Sequence, residues 1–403
     1  MLIPSHVPSD LVVDFDIHDH SWAGEFRPRL NALRDTTPVA YTAHNEGHWV
    51  VSRYRDIHQV ISDPGTFSNR PDTIPRSLHT DNPLVPITFD PPEHTNYRRL
   101  MSPLFSPRRA KSLEQGIREC VAALLDELES KRSCEFVAEF ARRLPTTVFL
   151  HLMGWPLDHA PQFAEWVRQL LMGKPGGTQE EVDEARAAAF TAVFGYFAQL
   201  VGDRRSRPTG DFTSQLVHGL YDGERTLTDP ELLSMMLLLM LGGLHTVEST
   251  LCYTMIYLAE HPELRTKLVE EPSLAAGAAE EMLRWEPPAW PARRTVRDVT
   301  VGGVEIKADE MILCSLTGGN ADPAEFPNPE VVDFSRNPNR HLTFSAGPHR
   351  CIGSHLARAE LRIALQEIHR RLPTYRLDSD DPPERHLGTV NGVHRLSLIL
   401  GAG

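Results

Sequence analysis

Phe344 to Leu356, FSAGPHRCIGSHL, sets one cysteine, Cys351, between glycines at Gly347 and Gly353, and the amphipathic pattern LARAELRIALQEIHRRL continues from Leu356. A cysteine so placed sits at a helix start. Its thiol would meet unpaired backbone N–H groups and the positive end of the helix dipole, and Arg350 and His349 add positive charge, so the pattern predicts a favoured thiolate. Thiolates are strong, soft metal ligands. The flanking glycines let the backbone run close beneath a flat group and take φ > 0. Phe344 is placed to pack against the loop or a ligand. The plain alternative is a buried, inert cysteine near a helix cap.

The stretch closely resembles the haem-ligand loop of the cytochrome P450 family, F-x-x-G-x-H/R-x-C-x-G. Phe344, Gly347, His349, Cys351 and Gly353 fill its positions, and Ser345 departs from it where glycine is usual. Ser345 is expected to stiffen the turn slightly without touching the sulfur. The resemblance implies that Cys351 is the proximal metal ligand, a thiolate on the iron of haem b whose electron donation favours O–O cleavage.

Composition bounds the reading. The chain has 403 residues, 41% of them hydrophobic, enough for a sizeable core; no linker or internal repeat divides it, so a single domain over 1–403 is expected. Lys and Arg total 41 against 54 Asp and Glu, a net charge of −13, which argues against non-specific nucleic-acid binding. The five cysteines, Cys120, Cys134, Cys252, Cys314 and Cys351, are scattered without C-x-x-C spacing, which argues against a disulfide framework or zinc site and fits a reducing cytoplasm. MLIPSHVPSDLVVDFD lacks a basic region and an apolar run, so no signal or membrane anchor is expected.

Along the chain, residues 24–36 predict a short amphipathic helix, and VAYTAHNEGHWVVSR predicts a hairpin about Asn45-Glu46-Gly47. Proline and polar residues dominate Thr66 to Pro86, as in a binding loop or lid. Helical patterns then cover 107–131 and 138–153, among others. His94 and Arg98, four apart, project from one helical face where they could grip an anion, or where they form a solvated basic face. The resemblance implies the former, for haem propionates.

Thr228-Asp229-Pro230-Glu231 is a helix start, and nothing stops that helix before Glu260. Roughly 30 residues would span on the order of 45 Å. Adjacent glycines in its middle, Gly242 and Gly243, each cost about 1 kcal/mol relative to alanine. Either a flat ligand or a close helix contact would require them. The hydroxyl of Thr246 can bond a backbone carbonyl or a water. The resemblance is to A/G-G-x-D/E-T, whose acid and alcohol deliver protons to bound dioxygen; GGLHT matches except that His245 stands at the acid. Three readings of His245 follow: a proton shuttle, a side chain swung outward into an ion pair, or weak proton delivery with uncoupled turnover.

Glu281 and Arg284, three apart, read as a surface ion pair from spacing alone. The resemblance instead implies a buried structural network completed by Arg336. It also implies that Arg293 binds a propionate, with Arg294 as the fallback. Ile87, Leu241, Val247, Ala289, Trp290 and Val390 are candidate pocket residues with no acid- or phosphate-binding cluster among them. VTVGGVEIKADEMILC predicts a hairpin about Gly302-Gly303, and Gly388 to Leu400 two short strands.

The resemblance runs from about residue 38 to the end. It implies a mainly α, cytochrome P450 fold, a helical prism with a small β-rich region, and a soluble haem-thiolate monooxygenase. Such an enzyme uses O2 and electrons from a ferredoxin-type donor on the proximal face, and the pocket implies a small or medium apolar substrate, terpenoid or aromatic. Arg108, Arg109, Lys111, Arg350, Arg358 and Arg362 form a candidate docking patch for that donor, or a solvated helix face. The competing readings are a peroxide-driven or poorly coupled haem enzyme and a non-catalytic haem-binding protein.

Overall fold

A computed structural model describes residues 3–76, 83–174 and 176–401. Residues 77–82 of the expected Thr66–Pro86 loop lie outside them.

The core is built on the helix Asp229–Glu260, 32 residues long. Thr228 caps it: its hydroxyl accepts from Glu231 N–H, the Glu231 carboxylate accepts from Thr228 N–H at 2.7 Å, and Pro230 lies in the first turn. By length and apolarity this helix would pass for a membrane span, yet most of its apolar window is buried inside the protein, so it is a core helix. Arg143–Met153, Gln179–Ser206 and the strand Gly392–Arg395 pack on it. The helix Ser354–Arg371, which follows the cysteine loop, packs on Pro107–Leu128 and on Ala275–Trp285.

The largest sheet runs Val39–Thr42, His48–Val51, Met311–Cys314, Ala292–Thr295, Phe67–Ser68. His48–Val51 and Met311–Cys314 are parallel, and the other pairs are antiparallel. The Asn45-Glu46-Gly47 hairpin forms with positive φ at all three residues, as does the hairpin of Val299–Val301 with Val304–Ile306.

One expectation needs correction. The helix expected over 138–153 starts as a π-helical turn, Val137–Ala141, before the α-helix Arg143–Met153; the Glu135 carboxylate accepts from Val137 and Ala138 N–H at 3.2 and 2.7 Å where that turn begins. The two short strands expected over Gly388 to Leu400 form, each in a different sheet. Gly392–Arg395 pairs with Glu384–His386, whereas Ser397–Leu400 lies between Tyr375–Leu377 and Ser133–Glu135. Leu396, fully buried between them, separates the two sheets, with its N–H held by Glu135 at 2.8 Å.

The pair read from spacing as a surface contact is buried. Both Glu281 and Arg284 are 0% exposed, joined at 2.8 and 2.9 Å, and Arg336 and Asn339 each reach the Glu281 carboxylate at 3.0 Å. Arg284 spends its remaining donors on the carbonyls of Asn320, Pro329 and Val331, so the network locks the coil that leads to the cysteine loop onto the helix Ala275–Trp285.

Candidate active site

The cysteine loop is shaped by its backbone. Cys351 N–H donates to Phe344 O at 2.8 Å, closing the loop, and buried Phe344 packs beneath it against the Arg358 guanidinium, 4.4 Å from the ring centroid. Gly347 has φ +66°, and a Cβ there would lie 2.9 Å from Ser62 Cα, so the loop can press onto the helix Tyr54–Ser62 only with glycine. Ser345 has φ +57° and a buried hydroxyl without a partner, so its departure from glycine strains the backbone as well as stiffening it.

Cys351 is solvent-exposed, unlike Cys134, Cys252 and Cys314. The expected thiolate is not favoured in the protein alone. The protein mass around the sulfur pushes its pKa up, and this outweighs the Gly353 N–H and the charges of Arg98, Arg358 and Arg350. His349 adds no charge either, because burial pushes its pKa down to about 2. A cation coordinated by this thiol would ionise it.

Beside the loop lies a cluster of donors. His94 and Arg98 come from the helix Glu93–Met101, and Arg293 from the strand Ala292–Thr295. The His94 ring lies against His349 with centroids 3.9 Å apart and planes tilted by 33°, and Arg98 Nη2 donates to Arg350 O at 2.9 Å. Burial, then Arg98, holds His94 down to about 4. The strand's alternation turns Arg293 inward, 3% exposed, while Arg294 turns out to Arg70 O and Asp309. His94 Nδ1 and His349 Nε2 are buried without a partner. Orphaned donors beside two guanidiniums are the chemistry of an anion seat.

On the central helix, Ser234, Leu238, Gly242 and Thr246 recur every four residues as a stripe that is not fully buried, on a rod most of whose other positions are. The two glycines have different reasons. A Cβ on Gly242 would meet nothing within 4 Å, whereas one on Gly243 would press on the Phe149 ring at 3.3 Å. Gly242 thus fits the flat-ligand reading and Gly243 the helix-contact reading. The Thr246 hydroxyl donates to Gly242 O at 2.9 Å, and the helix stays continuous through it.

His245 lies off that stripe, 3% exposed. Its Nε2 is 3.3 Å from His386 Nε2, one imidazole donating and the other accepting, with the ring planes 14° apart. Its Nδ1 is 3.9 Å from Glu248, whose carboxylate is held by Arg142 at 3.2 and 3.3 Å. Burial keeps His245 neutral, with a pKa near 4. Its hydrogen-bond partner is a second neutral imidazole, and Glu248 lies beyond hydrogen-bond distance.

Of the candidate pocket residues, Ile87, Leu241, Ala289 and Val390 are half-buried, and Ala289 bridges Val390. Trp290 and Val247 are corrections. Trp290 alternates away from Ala289 into a separate apolar cluster, packed between Phe15 and Phe26, and Val247 is 5% exposed in the main core. The basic patch also changes. Arg358 and Arg362 are paired with Glu280 and Glu114, leaving Arg108, Arg109, Lys111 and Arg350 exposed without an ion pair among the described residues. Sequence reasoning missed Asn69, Ser234 and His386, which contact site elements through folding alone and carry no local motif.

An exposed cysteine flanked by guanidiniums, an anion seat with two orphan nitrogens, and open space over Gly242 are together what a haem-thiolate site requires. A Cβ on Gly353 would meet only the Cys351 sulfur, at 4.0 Å, so a planar group has room above it. Residues 39–393 match the family model for cytochrome P450, and the chain belongs to that family. It is 36% identical to mycinamicin IV hydroxylase/epoxidase of Micromonospora griseorubida over 94% of each chain. It is 32% identical to vitamin D(3) 25-hydroxylase of Pseudonocardia autotrophica over 93% of each. The crystal structure of CYP101J2 superposes with a TM-score of 0.90 at 29% identity, covering all of both chains. The chain is therefore a P450 monooxygenase with haem as its cofactor.

Proposed function

We propose that this single-domain protein inserts one oxygen atom from O2 into a C–H bond of a small or medium apolar molecule, with electrons from a ferredoxin-type donor. The observation that carries the reading is the pairing of exposed Cys351 with the four-residue seat His94, Arg98, Arg293 and His349. Cys351 would ligate the iron and the seat would hold the propionates; Phe344, Gly347 and Gly353 shape the loop beneath. Haem with a thiolate ligand supplies the oxidising power for dioxygen cleavage.

The chain's own residues do the rest. Ile87, Leu241, Ala289 and Val390 offer apolar surface and exclude water. The Thr246 hydroxyl, on the open stripe, is the group placed to hand on a proton once its bond to Gly242 O is exchanged for one to water. Arg108, Arg109, Lys111 and Arg350 give an acidic donor a positive face against the net charge of −13. A second reading, poorly coupled or peroxide-driven turnover, is favoured by one observation: His245 is neutral and engaged with His386.

The test is the ferrous carbon monoxide spectrum of the haem-loaded protein beside Cys351→His, followed by product analysis with a ferredoxin and its reductase. A thiolate-type band in the wild type that is lost in the variant is expected. Identical spectra, or no oxygenated product from apolar substrates, would overturn the reading.

A further inference from the structure

Asn69 follows the edge strand Phe67–Ser68 and is 1% exposed. Its backbone N–H donates to Asp90 at 2.9 Å, which fixes the residue in place. Its side-chain Nδ2 lies 3.0 Å from Ile87 O and 3.2 Å from His349 Nδ1. A carbonyl oxygen can only accept, so the atom facing Ile87 is the NH2 group, and the alternative amide orientation would set two acceptors against each other. The second amide hydrogen then points at His349 Nδ1, which must present a lone pair. The single proton of the imidazole is left on Nε2, the nitrogen that is buried with no protein partner.

The other end of the same amide reaches the pocket. Ile87 sits in a segment clipped to the central helix by Ser234, whose Oγ accepts from Val85 N–H at 3.0 Å and donates to Pro83 O at 3.1 Å. That segment is tied back on itself, Leu84 N–H donating to Thr88 Oγ1 at 3.0 Å and Thr88 Oγ1 to Asp72 at 3.1 Å. Asn69 is thus the direct hydrogen-bonded link between the segment that carries Ile87 and the loop that carries Cys351.

We propose that Asn69 is a positioning residue: its two amide hydrogens hold the Ile87 segment and His349 in fixed relation, and keep His349 as the tautomer whose Nε2–H is offered to a cofactor carboxylate. The opposite tautomer would aim a lone pair at that carboxylate and turn attraction into repulsion. The proposal rests on the haem-binding reading above, and it adds a residue outside both the cysteine loop and the four-residue seat.

Two measurements on the haem-loaded protein test it. In the diamagnetic ferrous carbon monoxide form, nitrogen-15 NMR of the labelled imidazoles is expected to show His349 protonated at Nε2. In Asn69→Asp, which can only accept, the proton is expected at Nδ1. A wild-type Nδ1–H signal overturns the proposal directly. Haem transfer to apomyoglobin is the second readout. Asn69→Leu keeps the volume but loses both donors and is expected to release haem about tenfold faster, with no further acceleration when His349→Leu is already present. Wild-type release by Asn69→Leu, or additive effects in the double variant, sinks the proposal. A wild-type chain that takes up no haem overturns the functional reading itself, and with it this inference.

Discussion

His245 Nε2 and His386 Nε2 meet at 3.3 Å, joining the middle of the central helix to the strand pair near the C-terminus. The contact depends on Gly392, where a Cβ would lie 2.5 Å from the His386 ring. Replacing His245 by Asp restores an acid near Arg142 and breaks the imidazole pair. If proton supply is limited by this position, His245→Asp raises product formed per NAD(P)H by at least about twofold and lowers peroxide release. Unchanged or lower yield would show that His245 does not limit coupling. The same variant should lose about 1–3 kcal/mol of stability, because His386 is left buried and unpaired.

Ser345 invites a stabilising change. Its φ of +57° suits glycine, and its hydroxyl gains no partner for being buried. Ser345→Gly is expected to stabilise the protein by about 0.5–1 kcal/mol, the relief of left-handed strain exceeding the added entropy of the unfolded chain. Thermal unfolding decides; a lower Tm would mean the strain is not where the dihedral places it.

The Glu281 network should be intolerant of half-removal. Arg284→Met leaves a carboxylate of 0% exposure with Arg336 as its remaining cation, beside the Asn339 amide and the Asp333 N–H, and is predicted to cost about 3–5 kcal/mol. Chemical denaturation measures this directly, and a loss below about 1 kcal/mol would place the network on the surface after all.

Two buried groups make stability depend on pH in opposite directions, offsetting each other between about pH 4.5 and 6.5 and leaving a fall below that window and another above it. Burial lowers His245 to about 4 from its ordinary 6.5, so the unfolded chain binds the extra proton between those values. Its contribution is complete above about pH 6.5 and is lost as pH falls toward 4. Burial raises Glu360 from 4.5 to about 8, with one carboxylate oxygen unpartnered. The folded state keeps that proton longer, so this contribution is complete below about pH 4.5 and is lost as pH rises through 8. Glu360→Gln should therefore flatten the fall above pH 6.5, gaining roughly 2 kcal/mol on wild type between pH 6.5 and 8. Parallel Tm profiles for the two proteins would contradict it.

The exposed arginines give a kinetic prediction. Arg108→Glu together with Arg109→Glu should raise the KM for an acidic ferredoxin about five- to tenfold at low salt, the difference shrinking as salt screens the field. Equal KM values across ionic strength would move the docking face elsewhere.

The parts legible in the chain are those whose causes are short-range. Phe344, Gly347, Cys351 and Gly353 lie within ten residues of one another, and the loop closes through a hydrogen bond between Phe344 and Cys351 themselves. The start of the central helix was readable because Thr228 and Glu231 cap each other across a single turn. Such contacts form wherever the local sequence permits, so spacing alone reports them.

Tertiary structure decided the rest, because burial belongs to a pair of surfaces and one of them is always distant in sequence. Arg293 and Arg294 are neighbours of one type; pairing with Met311–Cys314 turned one inward and the other toward Asp309. Trp290 left the pocket for Phe15 and Phe26, and Gly242 and Gly243 parted ways because only one of them faces Phe149. His245 found His386, 141 positions away. Each outcome follows from which side chain lost its water and which partner replaced it, and only the packed chain contains that information.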